Sequence, residues 1–306
     1  MATPDKRNNG ELTFEYVAET GETLATHEYA AYPLKFLRPT SAISLGFHTN
    51  VICILGYGGG LVSRDHTKIH VVANASTSAV LCTQATTKVF KCIPDPARAN
   101  DRTKQELHVS LHAHATFLLL PDPVTCYENA KYVQRQVFEV DATATLVVLD
   151  WLTSGRVARG EHWAFDTYES CNEIYMTHAD NAPSTPLVID RVRLRQDETI
   201  PLRTRMGGMH VMGTLVLCGP RVMALVAQLL ADGARKQLAP HQSPVPSGRL
   251  AQSDVSDVRS AISPLGHHGA IIRFCAHSTD AAYAYIKDIL APLHDLVGYT
   301  CFQENR

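Results

Sequence analysis

The sequence predicts a mostly β protein of one domain, with many short strands and two α-helices near its C-terminal end. Between Leu12 and Thr214, β-type segments alternate with turn residues about every ten positions, a spacing typical of all-β domains. Residues 132–140 mix apolar and polar side chains, as a half-exposed strand does. Helical periodicity is confined to residues 221–230 and 280–290.

Short aliphatic runs mark the individual strands. The clearest of them cover residues 51–55, 69–73, 79–83, 116–120, 144–149 and 269–275. Pro121-Asp122-Pro123 ends one strand, because proline has no N–H to contribute to a β-ladder. No repeat of fixed length is visible, so the sequence does not by itself demonstrate a regular solenoid.

The two helices have recognisable ends, and two segments have the composition of irregular structure. Gly219-Pro220 begins the first helix, which we expect to end near Gly233, and Pro292 interrupts the second. Residues 1–11 predict a disordered tail. Residues 240–256 are rich in Pro, Ser and Gln and predict a flexible insertion. No linker divides the chain, so we predict a single domain over residues 1–306.

Composition excludes several classes of function. The 28 basic and 30 acidic residues give a net charge of −2, which is not the footprint of a protein that binds nucleic acid or an anionic membrane. No run reaches the roughly 20 apolar residues of a membrane span, and residues 1–10 lack the apolar core of a signal peptide. Eight scattered cysteines without a Cys-x-x-Cys pair therefore predict reduced thiols in a cytosolic protein.

A triple glycine forms the most unusual stretch of the chain. Tyr57-Gly58-Gly59-Gly60 lies between two predicted strands, and Asp65 follows shortly after it. Glycine is needed where the backbone turns at positive φ or approaches another segment closely. The stretch lacks the Gly-Lys-Ser/Thr ending and the following helix of a phosphate-binding loop. A plain glycine hairpin with a surface aspartate is the simplest interpretation.

A second stretch, from Leu149 to Trp163, is rich in charge. Asp150 ends an apolar strand, and Arg156, Arg159 and Glu161 follow around two glycines. An ion pair between a carboxylate and an arginine would hold a turn here, because buried carboxylates are costly unless paired. The functional interpretation is a carboxylate that lines a polar interior path, shared with Asp65.

Histidines and cysteines give no strong catalytic signal. His108, His112 and His114 share one face if residues 106–115 are extended, but 108 and 112 would then lie roughly 13 Å apart. They cannot form one compact metal site, and a solvated strand face is expected. His267-His268 lies in a turn, where adjacent side chains diverge. A Gly-x-Ser-x-Gly elbow is absent from the sequence, so serine hydrolase chemistry is disfavoured.

Five segments in register resemble the UreD family of urease accessory proteins, called UreH in some bacteria. The first is Tyr57-Gly58-Gly59-Gly60 with Asp65. The others are Tyr32-Pro33-Leu34-Lys35, Thr83-Gln84 through Lys88 to Phe90, Leu120-Pro121-Asp122-Pro123, and Leu149-Asp150-Trp151 through Arg156 to Arg159-Gly160-Glu161. The similarity is dense from about residue 32 to 170 and sparse afterwards.

The resemblance implies a helical, sandwich-like β fold and a non-enzymatic role. Members bind apo-urease, form a complex with UreF and the GTPase UreG, and help deliver nickel to the urease active site. Water-filled internal channels are thought to carry the ion. We therefore expect no tightly bound cofactor, transient Ni(II), a hetero-oligomer, and neither a nucleic-acid nor a membrane partner. The alternatives are a carbohydrate-active protein that uses Asp65 and Glu161 as a carboxylate pair, and a plain β interaction module.

The resemblance also assigns roles to individual residues. Asp65 and Glu161 are the expected transient nickel ligands, because a conduit must bind an ion weakly enough to release it, and Asp150 is a weaker third candidate. Structural or partner-binding positions are Tyr57, Gly58, Gly59, Gly60, Thr83, Gln84, Lys88, Arg156 and Arg159. The family usually has Gly where this chain has Arg64, which we expect to pair with Asp65. A family Pro-Arg-x-Trp-like tail is absent from residues 300–306.

Overall fold

Two β-sheets lie face to face, and helices cover the outer face of one of them. The structure, a computed structural model, describes residues 8–39, 48–92, 101–177, 183–238 and 257–297. Within these residues the strands form a seven-stranded and a ten-stranded sheet. The predicted insertion at 240–256 lies outside the described residues.

The first sheet has the spatial order β14-β13-β11-β8-β5-β1-β2. Its strands are β1 Gly10–Val17, β2 Glu22–Ala30, β5 His66–Ala73, β8 Thr103–Leu111, β11 Lys131–Asp141, β13 Thr167–Thr177 and β14 Thr185–Arg195. Pairing is parallel from β1 through β13 and antiparallel at the two outermost pairs.

The second sheet has the spatial order β16-β17-β15-β12-β9-β6-β4-β3, with β7 and β10 attached beside β12. Its strands are β3 Leu34–Leu37, β4 Asn50–Gly56, β6 Ser78–Thr83, β7 Thr87–Val89, β9 Thr116–Leu120, β10 Val124–Cys126, β12 Thr145–Thr153, β15 Val211–Cys218, β16 Val258–Pro264 and β17 Gly269–Ala276. Strands β4, β6, β9 and β12 are parallel to one another, whereas β3 pairs with β4 and β15 pairs with β12 in the antiparallel sense.

The chain passes repeatedly from one sheet to the other through its middle. It runs from β4 in the second sheet to β5 in the first, back to β6 and β7 in the second, and onward to β13, with β9 and β10 again consecutive in the second sheet. Each parallel neighbour is therefore reached by a crossover through the opposite sheet. This coil inside a sandwich confirms the predicted helical, mostly β architecture.

Four α-helices are described: α1 Leu202–Arg205, α2 Met223–Leu238, α3 Thr279–Leu290 and α4 His294–Val297. Two of them, α2 and α3, are the predicted pair, although α2 continues past Gly233. Ser278 caps α3 by accepting a hydrogen bond from the Ala281 N–H at 3.1 Å, as N-cap serines do. No helix of the described chain is long and apolar enough to cross a membrane.

Three buried clusters explain why these segments form strands. One lies between the two sheets, and a second lies between the ten-stranded sheet and helices α2 and α3. All nine residues of β12 are buried because both of its faces are covered, which accounts for its continuous apolar run. The third cluster includes Leu61, Tyr132, Leu152, Trp163 and Tyr168. It packs beneath both the glycine stretch and the charged stretch.

Some predicted boundaries are wrong. The tail predicted for residues 1–11 is too long, because Gly10 and Glu11 already pair with β2 and β5. Gly10 has no room for a side chain, since an added Cβ would lie 2.5 Å from Leu34. Strand β16 and the single turn of α1 carry no clear sequence pattern and were not predicted.

Candidate functional site: a polar interior beneath the glycine loop

The triple glycine is used in two different ways. Tyr57–Gly59 forms a short 3-10 turn between β4 and β5, in which Gly58 and Gly59 have φ of 73° and 76°. Gly60 instead packs closely, because an added Cβ would lie 2.7 Å from the Lys88 carbonyl oxygen. Both reasons predicted for the glycines therefore apply, at different positions.

The glycine loop and the charged loop meet through two aromatic residues. The Phe90 N–H donates to the Leu61 carbonyl at 2.9 Å. The Phe90 ring then packs edge-on against Tyr127, with centroids 5.3 Å apart. Arg156, from the charged loop, lies over the Tyr127 ring, with its guanidinium carbon 4.0 Å from the ring centroid. The two stretches singled out in the sequence thus share one end of the molecule.

Glu161 is held by Arg156. The Arg156 Nε donates to Glu161 Oε2 at 2.9 Å, and its Nη2 donates to Oε1. The Glu161 side chain is 12% exposed. The hydrogen bonds from Arg156 lower the pKa of the Glu161 carboxyl below its usual range. This carboxylate is ionised and neutralised by its partner, which is the opposite of what a general acid of a glycosidase needs.

Asp65 stabilises the turn that follows the glycines. Its Oδ2 accepts a hydrogen bond from the Val62 N–H at 2.9 Å. The expected pairing of Arg64 with Asp65 is wrong, because Arg64 Nε lies 3.4 Å from Asp101 Oδ2 instead. Arg64 has φ of 77°, a conformation that favours glycine.

Asp150 lies inside the molecule and is surrounded by neutral donors. It is 8% exposed and projects from β12 toward the seven-stranded sheet. Ser170 Oγ donates to Oδ2 at 2.6 Å and Asn172 Nδ2 at 2.7 Å. Gln134 Nε2 and the Tyr168 hydroxyl donate to Oδ1 at 3.0 and 3.5 Å. Burial and the Asp150 charge raise the pKa of Tyr168 well above its usual value, so this phenol remains a donor.

Asp122 is a second interior carboxylate that the sequence analysis did not single out as a site residue. It is 2% exposed, and its Oδ1 accepts from the Tyr283 hydroxyl at 2.7 Å. Thr83 Oγ1 donates to its Oδ2 at 3.3 Å, while the Asp122 N–H donates to Thr83 Oγ1 at 2.8 Å. An acidic residue between two prolines, directly after the apolar run 117–120, was the available signal.

Two cavities lie between the glycine loop and these carboxylates. A pocket of about 220 Å³ is lined by Gly59, Gly60, Gln84 and Lys88, and an interior cavity of about 40 Å³ is lined by Asp122 and Asp150. Three side chains, Ile54, Thr87 and Gln105, line both. The pocket and the cavity are therefore neighbours, and Asp65 and Glu161 line neither.

Unpaired polar atoms face this polar interior. Thr67 lines the pocket and Gln136 lines the cavity. Within the part of the chain that the structure describes, Thr67 Oγ1 and Gln136 Oε1 are buried without a hydrogen-bond partner. Buried polar atoms are costly unless water or another partner satisfies them. The interior can therefore hold water.

The other predicted positions lie on the outside. Tyr57 is 54% exposed and its ring lies 6.0 Å from that of Tyr32, which is also exposed. Gln84, Lys88 and Arg159 are exposed as well. These side chains are accessible to solvent at the same end of the molecule.

The predicted histidine face does not form. Strand β8 ends at Leu111, so only His108 lies on it, and His112 and His114 follow in a turn. The rings of His267 and His268 do not diverge as expected, because their centroids lie 3.9 Å apart. In the described ranges no group of three or more His, Cys, Asp or Glu residues is arranged to hold a metal ion.

Comparisons with known proteins place the chain among its relatives. The family model described as UreD urease accessory protein matches residues 8–301. The chain belongs to the UreD family. Urease accessory protein D of Oryza sativa subsp. indica is 32% identical over 288 residues, which cover 91% of this chain and 90% of the rice protein.

Two further relatives come from Arabidopsis thaliana and Sorangium cellulosum. Urease accessory protein D of Arabidopsis thaliana is 30% identical over 300 residues, covering 94% of this chain and 97% of its own. UreD of Sorangium cellulosum is 31% identical over 293 residues, with coverages of 96% and 82%. The UreD match includes the glycine loop, both cavities and every candidate residue, so all of these features belong to the UreD domain.

Proposed function

We propose that this chain is a non-catalytic urease accessory protein that binds apo-urease, assembles with UreF and UreG, and lets Ni(II) pass through its polar interior toward the urease active site. Membership of the UreD family supports the urease connection. The observation that supports passage of an ion is the interior around Asp150, where a buried carboxylate, unpaired polar atoms and two neighbouring cavities occur together.

The chemistry of this interior suits a divalent cation in transit. Ni(II) accepts oxygen and nitrogen donors, and Asp122 and Asp150 supply carboxylate oxygens. The donors around Asp150 are amides and hydroxyls rather than cations. Its negative charge is therefore available to a hydrated ion. Among the described residues, no cysteine lines the pocket or the cavity, which favours release of the ion over retention.

Asp65 and Glu161 act at the entrance in this proposal. Both lie at the end of the molecule that carries the glycine loop, and both are oxygen donors. Glu161 must break its hydrogen bonds with Arg156 before it can bind the ion. It therefore contributes less to attracting Ni(II) than Asp150 does. Tyr32 and Tyr57 offer exposed aromatic surface beside this entrance, as interface hot spots commonly do, and we assign them to a partner protein in the cytoplasm.

Co-expression with urease, UreF and UreG tests the proposal. Deletion of this chain should abolish urease activity, and the parent chain should restore it. Asp65→Ala combined with Glu161→Ala should leave co-purification with the partners intact and lower the nickel content of urease. If the parent chain does not restore activity, the function is wrong. If the double variant loads urease fully, only the entrance role of these two carboxylates is wrong.

A further inference from the structure

Three imidazoles and a hydroxyl gather at one end of the ten-stranded sheet, away from the Asp150 cavity. β12, β15 and β17 are adjacent there, and Ser154, His210 and His277 are the residues just beyond their ends. The Ser154 N–H donates to the His210 carbonyl at 2.7 Å, and the His210 N–H donates to the Ala276 carbonyl at 2.8 Å. The backbone thereby fixes this row of residues.

His162 approaches His210 from the charged loop. The two Nδ1 atoms lie 3.5 Å apart and the ring centroids 4.9 Å apart. Ser154 Oγ lies 3.1 Å from the same His210 nitrogen. A separation of 3.5 Å is long for a hydrogen bond between nitrogens. Two ring nitrogens and one hydroxyl oxygen thus point at a common space.

The spacing of the nitrogens suits a shared cation. Imidazole nitrogen binds divalent transition metals at about 2.1 Å, so two nitrogens 3.5 Å apart subtend an angle of about 110° at one ion. This angle is close to the tetrahedral value of about 109° and wider than the octahedral value of about 90°. Small rotations of either ring adjust it without movement of the backbone.

The two imidazoles are also accessible from outside the molecule. His162 and His210 are only half-buried, so a cation can reach them from solvent.

We propose that His162 and His210 bind a divalent transition-metal cation of the Ni(II) type, with Ser154 Oγ as an additional oxygen donor. Two imidazoles and a hydroxyl leave the remaining coordination positions to water or to a partner. The site is weak and exchangeable, as suits an ion that is passed on. The choice of Ni(II) as the natural ion rests on the proposed function, whereas the binding itself does not.

Calorimetric titration of the purified full-length chain with Ni(II) at pH 7.5 tests the site. His162→Ala combined with His210→Ala should remove one binding site or weaken it at least tenfold, and each single variant should weaken it less. His112→Ala combined with His114→Ala is the matched control, because it removes two exposed imidazoles from a turn. Its titration should match that of the parent, and Mg(II) should give no binding at the His162–His210 site.

Equal Ni(II) affinity and stoichiometry in the parent and the His162/His210 double variant overturns the proposal. The metal-free melting temperature shows whether the variant is folded, and a paired His162→Gln, His210→Gln variant replaces the alanine pair if that pair unfolds. Ni(II) should raise the melting temperature of the parent and of the control more than that of the double variant. Because binding is measured on the isolated chain, failure of urease activation leaves this result unaffected and overturns only the proposed function.

Discussion

Asp150 and Glu161 lie eleven positions apart in the sequence and have opposite surroundings. Glu161 faces a guanidinium that donates two hydrogen bonds to it. Asp150 is approached by two amides and two hydroxyls, and within the described residues no arginine or lysine pairs with it. Both carboxylates are well satisfied, but only one has its charge cancelled.

This contrast separates a carboxylate that holds a loop from one that can attract a cation. A charge paired with arginine presents almost no net field to an approaching ion. A charge held by neutral dipoles keeps its field, and its low-dielectric surroundings strengthen that field. Hydrogen-bond partners therefore carry more functional information than burial alone.

The largest expected effect is the loss of stability when the Asp150 side chain is removed, compared with removal of the Glu161 side chain. Asp150→Ala leaves Gln134, Ser170 and Asn172 without their acceptor, and we expect a loss of about 3 kcal/mol in the free energy of unfolding. Glu161→Ala leaves a half-exposed Arg156 in contact with water, with a loss of about 1 kcal/mol or less. Urea denaturation measures both. Equal losses would show that the two environments do not differ in energy.

The second-largest effect is expected on nickel transfer, when the Asp150 or Glu161 carboxylate is replaced by an amide of similar shape. Asp150→Asn should lower the nickel content of co-expressed urease at least tenfold, whereas Glu161→Gln should lower it less than threefold because Arg156 already cancels that charge. The measurement is the nickel-to-urease ratio after purification. Co-purification of the partners with each variant serves as the control. If Glu161→Gln lowered the nickel content more than Asp150→Asn, then Glu161 and not Asp150 would be the carboxylate that attracts the cation.

A second arginine pair extends the comparison to pH. Arg135 donates two hydrogen bonds to Glu173, whose side chain is 7% exposed, and they lower its pKa from 4.5 to about 2. Because the folded pKa is depressed, this contribution is complete above pH 4.5 and is lost as the pH falls toward 2. We expect parent and Glu173→Gln stabilities to converge by about 1–2 kcal/mol between pH 6 and 3. A constant difference across this range would contradict the pairing.

The smallest effect is expected at the turn before Asp65. Arg64→Gly removes a side chain from a positive-φ position and loses an exposed contact with Asp101. Relief of the backbone is worth about 1 kcal/mol, partly offset by the greater freedom of glycine in the unfolded chain. The melting temperature should stay the same or rise by a few degrees, measured beside Arg159→Gly as the exposed control. A clear fall would mean that the Asp101 contact matters more than the strain.

Local patterns made much of the fold predictable. Three patterns depend only on neighbours in sequence: the apolar run 144–149, the mixed apolar and polar run 132–140, and the helix start at Gly219-Pro220. The structure has β12, β11 and α2 there. The glycine loop was predictable for the same reason. Strand β16 was not, because its residues are largely exposed and lack an apolar pattern.

The candidate site was less predictable because its contacts are long-range. The donors to Asp150 come from β11 and β13, sixteen to twenty-two residues away, and no local spacing announces them. The Arg156–Glu161 pair, by contrast, is only five residues apart and was one of the two interpretations of that stretch. Asp122 lies in Pro121-Asp122-Pro123, a pattern that predicts the end of a strand and gives no sign of a buried carboxylate. The roles of Asp65 and Glu161 in nickel transfer stay predictions.

The alternation of the chain between its two sheets has a consequence for how the molecule is made. A strand such as β6 finds its parallel neighbour β4 only after the intervening β5 has crossed to the opposite layer. Such distant pairings slow folding, to roughly milliseconds to seconds for β-rich domains. During synthesis, each newly made strand exposes unpaired backbone N–H and C=O groups until its neighbouring strand has been synthesised. Early capture by an assembly partner would shorten that exposure and raise the yield of native protein.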